Sequence, residues 1–300
     1  RQADDLKRFS YYHEKLVPKI IQEKDLDQCY YFDMEYMENH NQLDQYEKEI
    51  QDKVLKNVID DMSKYVYCYK KRNKSLNFVN DFFSTKIYPK LDDFQNMSSI
   101  FHHLINSKKV TINNKEYFGI REIIKKINIY DYNTEFLNPI HGDFTLENII
   151  YDHKNNSYKL IDMDGSRYVD TCYFDLGKIF QSIVSNYKSW NHRDDLVQEV
   201  DNKNIKCIDS YFNCNKEDFK DICNQYARIM EVSHWEKVFK KGIFYMSMYF
   251  IRFVPFRLKI SEKHGIFALL MAINWLNYLY ATENKKENYA KTYFDDEDEN

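Results

Sequence analysis

Asp143, Asn148 and Asp162 are the residues whose types and spacing could do chemistry together. Residues 138–165 read Asn-Pro-Ile-His-Gly-Asp-Phe-Thr-Leu-Glu-Asn-Ile-Ile-Tyr-Asp, a polar turn over 153–157, then Tyr-Lys-Leu-Ile-Asp-Met-Asp-Gly. Two short apolar strands, 148–151 and 158–161, flank that turn and predict a hairpin whose ends lie side by side. Asn148 then starts the first strand and Asp162 follows the second, so the two meet. Asp143 lies five residues before Asn148, near enough for a loop to carry its carboxylate into the same volume. Hard cations such as Mg²⁺ take a few protein oxygens and fill their other positions with water and nucleotide phosphates, which suits Asn148 and Asp162. A third carboxylate held slightly apart can accept the proton of a hydroxyl that attacks a phosphate, which suits Asp143.

His141-Gly142-Asp143, four residues, Asn148, then a strand pair and Ile161-Asp162-Met163-Asp164 resembles the catalytic and metal-binding loops of the aminoglycoside phosphotransferase and choline kinase group. That group is a branch of the protein-kinase-like fold. The resemblance implies a catalytic role for Asp143, metal binding by Asn148 and Asp162, and support of the metal site by Asp164. It also implies that His141 is a buried structural residue. Asp175, in Phe174-Asp175-Leu176-Gly177, matches the structural Asp that hydrogen-bonds the catalytic-loop backbone. More weakly, residues 30–37 resemble the last small-lobe strand and hinge, with backbone groups of Glu35 and Met37 facing an adenine ring, and residues 9–18 resemble the preceding helix. The wording is also similar to phosphotransferase-like proteins of bacterial capsule clusters, some of which are fused behind another domain.

The implied fold is α+β and protein-kinase-like. Residues 1–40 would be a truncated small lobe and hinge, 41–290 a mostly helical large lobe with a catalytic hairpin, and 291–300 an acidic tail. The implied activity is ATP- and Mg²⁺-dependent phosphorylation of a hydroxyl on a small molecule: a sugar, amino sugar, choline or ethanolamine. Helices after residue 190 would shape the acceptor pocket, and acids there would favour an amine. Two features of the group have no counterpart: the glycine-rich loop and the strand Lys that grips the phosphates should precede the first helix. Glu14 is the nearest candidate for the helix Glu that pairs with that Lys. A chain that opens at Arg1 within a helical pattern suggests that further sequence lies upstream.

Hydrophobic periodicity supplies the elements that must position these groups. Leu6, Phe9, Tyr12 or His13, and Leu16 repeat at helical spacing before Pro18, and the aromatic run 29–37 reads as a strand. Tyr46, Ile50, Val54, Val58, Met62 and Tyr65 define a long amphipathic helix ending within 70–74. Residues 77–107 predict helices interrupted at Pro89, and 110–118 a hairpin turning at Asn113-Asn114. Everything beyond about 190 reads as helix, through 219–232 and then 235–280 with a break at Pro255. Glu147 reads as a solvated loop residue, and Trp190, Trp235 and Trp275 as mainly core.

The 300 residues, 43% hydrophobic and 17% aromatic, are ample for a sizeable core. A net charge of −4 with no Lys/Arg-dense block argues against nucleic-acid binding. No run reaches a membrane span; the stretch 265–279 is broken by Asn274 and Asn277 and reads as a buried helix. Six scattered cysteines without metal spacing predict free thiols and a cytoplasmic setting. Only six glycines occur, the first at 119, so no glycine-rich phosphate loop exists within the chain. Two other readings compete: a non-catalytic kinase-like scaffold, and a glycosyltransferase holding a metal and sugar nucleotide on Asp162-Met163-Asp164. The latter needs an α/β sheet ahead of the Asp pair, where 43–107 reads as helix.

Overall fold

The computed structural model describes residues 2–26, 29–75, 77–164, 171–200, 204–212 and 215–284. The acidic run 291–300 and Cys214 lie outside the described residues.

The chain opens with helix α1 (Gln2–Tyr12), whose Leu6 and Phe9 are buried, and a 3₁₀ turn (Glu14–Leu16) that ends before Pro18. Glu14 sits in that turn, exposed, beyond the end of α1. Strands β1 (Ile20–Leu26) and β2 (Cys29–Met34) form an antiparallel ribbon with a register shift between Ile20 and Gln22. Only β2 was legible in the sequence, because β1 reads Ile-Ile-Gln-Glu-Lys-Asp-Leu and carries charge on both faces. After the ribbon, β3 (Asn41–Gln42) adds to the edge of the hairpin described below.

Helix α2 (Lys48–Met62) buries Val54, Leu55, Val58, Ile59 and Met62, then widens into a π turn (Ser63–Tyr67) that buries Tyr67. β4 (Lys71–Arg72) follows. A second π turn (Phe83–Ile87) joins α3 (Phe78–Phe82) to α4 (Tyr88–Phe94), so Pro89 falls at the start of α4 instead of breaking a helix. Helix α5 (Ser99–Asn106) leads to the hairpin β5 (Lys109–Ile112) and β6 (Lys115–Phe118). Asn113 and Asn114 both take positive φ there, 49° and 62°, as a two-residue turn of this hand requires.

Helix α6 (Ile120–Lys126) and β7 (Phe136–Leu137), which pairs with β4, precede the central hairpin of β8 (Ile149–Asp152) and β9 (Ser157–Leu160). Its order is β3-β8-β9, all antiparallel. The C-terminal part packs α7 (Cys172–Ser185) and α8 (Lys220–Met230) against the long pair α9 (Trp235–Leu258) and α10 (Glu262–Glu283).

The region beyond 190 is not all helix. β10 (Val197–Val200) and β11 (Ile205–Cys207) form a ribbon that joins β5 in parallel, giving the order β10-β11-β5-β6. β10 is exposed after its first residue and so lacks alternation, while β11 alternates but is only three residues long, too short to be marked by it. Pro255 does not end α9 either; the helix runs one further turn, and the break comes at Ser261, which caps α10 by accepting the His264 N–H.

Where α7 crosses α9 the backbones nearly touch. A Cβ at Gly177 would lie 2.8 Å from Tyr245 Cβ and 2.9 Å from the Met246 nitrogen, so only glycine permits this approach. Trp190 and Trp275 are core, whereas Trp235 is half-buried beneath Lys216 and Lys220. Helix α10 is long and apolar enough to cross a membrane, yet most of it is buried inside the protein. Cys68, Cys172, Cys207 and Cys223 are free thiols.

Candidate active site

The loop between β7 and β8 holds its shape because Asp175, in the first turn of α7, clamps it. Asp175 is fully buried. Its Oδ2 accepts the His141 N–H and its Oδ1 the Gly142 N–H, both at 2.8 Å, while the Tyr67 hydroxyl donates to Oδ2 at 2.8 Å. Gly142 takes φ +87°, and a Cβ there would overlap the Asp164 carbonyl, so the loop after β9 lies directly against it.

This clamp presents Asp143. Asn148, at the end of a single 3₁₀ turn, donates Nδ2 to the Asp143 carbonyl at 2.8 Å and to its Oδ2 at 3.2 Å. Lys178, one helical turn after Asp175 on α7, pairs with Oδ1 at 2.8 Å. Burial alone would raise the Asp143 carboxyl, but the Lys178 ammonium and the Asn148 amide outweigh it and hold it below the usual carboxylate range.

The hairpin brings the backbones of Asn148 and Asp162 to neighbouring positions. The Asn148 carbonyl accepts the Ile161 N–H at 3.0 Å, extending the β8–β9 ladder by one step, and Asp162 is the next residue. Asp162 takes φ +55°, the left-handed conformation that Asp tolerates better than most residues and that often marks functional positions. Asp164 is exposed, with its backbone against Gly142.

By donor type, an Asn amide oxygen and an Asp carboxylate suit a hard divalent cation. With Nδ2 spent on Asp143, Asn148 is left with its carbonyl Oδ1, a hard oxygen, and its backbone is bonded to Ile161, the residue before Asp162. Among the described residues no three His, Cys, Asp or Glu side chains converge on one point. One amide and one or two carboxylates would leave most coordination positions to water and phosphate, the pattern Mg²⁺ prefers.

His141 is fully buried, its Nδ1 accepting the Asp143 N–H at 3.3 Å and its ring in edge contact with Phe9 of α1. Burial lowers its pKa from 6.5 to about 4, so it stands neutral. With the folded value below the unfolded one, its contribution to stability is complete above about pH 6.5 and declines as pH falls toward 4. Linkage sets that slope at up to ~1.4 kcal/mol per pH unit. Chemical denaturation at pH 7, 6, 5 and 4 should show it, and His141→Asn should flatten it; an equal slope in the variant would clear His141 as the cause.

At the opposite edge, Glu35 donates its N–H to the Lys19 carbonyl at 2.8 Å, so that group is spent in extending the β1–β2 ribbon. The Glu35 carbonyl and the Met37 N–H enter none of the backbone hydrogen bonds among the described residues. Lys159 of β9 ties this segment to the hairpin, pairing with the Glu35 carboxylate at 3.3 Å and donating to the Val17 carbonyl at 3.0 Å.

Glu147 is not a solvated residue: it is half-buried, and burial raises its pKa. It borders a cavity of about 310 Å³ with Asp44, Ser182, Tyr187 and Lys188, where Lys188 pairs with Asp44 at 2.6 Å. That cavity draws on 44–51 and 182–188 more than on the helices after 190.

No protein-family model matches the sequence, and no curated protein matches it. Among solved structures, choline kinase from Cryptosporidium parvum Iowa II aligns with 96% of this chain and 80% of its own, with a TM-score of 0.55 at 12% identity. The chain has a choline kinase-like fold. At that identity the likeness concerns architecture, and nothing in it separates the capsule-cluster type from the rest of the group. Chemistry has to be argued from the residues. Two that frame Asp143, Lys178 and Tyr67, were not singled out from sequence. Lys178 had a signal, lying one turn from Asp175 on the same helix face; Tyr67 had none, since its π turn is not visible in a regular periodicity.

Proposed function

We propose that this chain transfers the terminal phosphoryl group of ATP, with Mg²⁺, to a hydroxyl of a small molecule. The observation that carries the reading is the Asn148 amide, fixed by Asp143 on its nitrogen side, with the Asn148 backbone carbonyl bonded to Ile161, the residue before Asp162. Asn148 and Asp162 would hold the metal, with Asp164 in support, and the Glu35–Met37 backbone would receive the adenine. Bound Mg²⁺ would neutralise charge on the phosphate oxygens.

Asp143 would orient the acceptor hydroxyl and take its proton as the new bond forms. The Asp175 clamp fixes the loop before substrate arrives, so little reorganisation remains for the reacting state. The cavity beside Glu147 is the candidate acceptor pocket. Its Asp44–Lys188 pair balances charge internally, which suits a hydroxyl-rich sugar at least as well as a cationic amine.

The test is an ADP-release assay with MgATP over sugars, amino sugars, choline and ethanolamine. Acceptor-dependent turnover that EDTA removes is the expected result. Asp162→Ala should raise the Mg²⁺ concentration for half-maximal rate by at least about tenfold. Absence of both turnover and nucleotide binding would leave a non-catalytic kinase-like module.

A further inference from the structure

We infer that Lys178 of α7 is the cation that meets the terminal phosphate of the nucleotide; this rests on the phosphotransfer reading above. The Lys178 ammonium lies 2.8 Å from Asp143 Oδ1 and 4.6 Å from the centre of the Tyr249 ring, on α9. Its side chain is 18% exposed. The ring closes one side of the ammonium and the carboxylate holds another.

Geometry places that ammonium where the transferred group must pass. An acceptor hydroxyl hydrogen-bonded to Asp143 stands roughly 2.7 Å from the carboxylate. In a near-attack arrangement the phosphorus is about 3–3.5 Å beyond that oxygen. A cation already in contact with the same carboxylate is within a side-chain rotation of the phosphoryl oxygens, and the four-carbon Lys stem permits the rotation.

Asp175 makes the placement rigid. It pins the N-terminal turn of α7 to the backbone of the very loop that presents Asp143, so the base and the cation share one anchor. Stability is a poor reason for the pair, because partly desolvating both charges offsets much of their attraction. An ammonium on the carboxylate also weakens the base. Both disadvantages vanish if the ammonium is shared with an incoming phosphate: its charge offsets repulsion between Asp143 and the phosphoryl oxygens, and loose phosphoryl transfer depends more on that than on a strong base.

The test measures binding as well as rate. Calorimetric titration with Mg²⁺ and either AMP-PNP or ADP compares nucleotides with and without a terminal γ-phosphate. Lys178→Met should weaken AMP-PNP by about tenfold and leave ADP within about twofold, the intact ADP affinity certifying the fold. Lys178→Arg should recover most of the AMP-PNP affinity. If Lys178→Met does not fold, the ratio is read in Asp143→Asn/Lys178→Met, which leaves no lone charge, against Asp143→Asn. Equal weakening of both nucleotides, or no change in either, overturns the assignment of Lys178 while the phosphotransfer reading stands. Failure of the unaltered protein to bind either nucleotide overturns both.

Discussion

Asp143→Asn is expected to lower kcat for acceptor phosphorylation by ~10²–10⁴, the usual contribution of a positioned base. The substitution keeps the shape of the side chain. An amide oxygen can still accept from Lys178 or Asn148, so the loop, the Asp175 clamp and the fold should persist. What is lost is a group able to take the hydroxyl proton. Asn148 and Asp162 would still hold the metal, so KM for ATP should change by no more than a few-fold. Steady-state ADP release with MgATP, alongside a thermal melt, checks both halves. Turnover near that of the unaltered protein would show that Asp143 is not the base; a fall in kcat with an equal loss of melting temperature would assign it a structural role instead.

The candidate site was more legible than the fold around it. His141, Gly142, Asp143, Asn148 and Asp162 lie within 22 consecutive residues, so a hairpin and the short loop before it can bring their backbones near one another. The Asp175 contact is longer in sequence and came from resemblance, since no local pattern says where a buried carboxylate will find two backbone N–H groups. Helices with a clear apolar stripe, such as α2, were readable because burial on one face repeats every three or four residues. The strands β1 and β10 were not readable, because charged or exposed positions fall where alternation would need apolar ones, and β11, which does alternate, is only three residues long. The partners of Asp143 show the same divide. Asn148 is local, whereas Lys178, and the Tyr249 ring against it, arrive on two helices that Gly177 allows to touch, a long-range event that periodicity does not encode.

Asp175→Ala should have the largest effect on stability of any single substitution at the site, about 3–5 kcal/mol, from several buried donors each losing its acceptor at ~1–3 kcal/mol. The carboxylate is fully buried and satisfies two backbone N–H groups and the Tyr67 hydroxyl. Alanine removes both acceptor oxygens, and so all three hydrogen bonds, at once, and the His141 and Gly142 amides are left inside the protein without them. Gly142 depends on that anchor to keep its positive φ against Asp164, so Asp143 should lose its position along with the loop. Stability and turnover therefore fall together, unlike Asp143→Asn, in which only turnover falls. Tyr67→Phe separates the contributions: it deletes one donor to a charged acceptor and leaves both backbone contacts, for an expected cost of about 1.5–3 kcal/mol. Asp175→Asn lies between them, because its single amide oxygen cannot serve both backbone donors as two carboxylate oxygens do. Urea denaturation of the three variants should give the order Ala, Asn, Phe from least to most stable. Were Asp175→Ala to unfold at the same urea concentration as the unaltered chain, the clamp would not be what holds the loop, and the placement of Asp143 would need another cause.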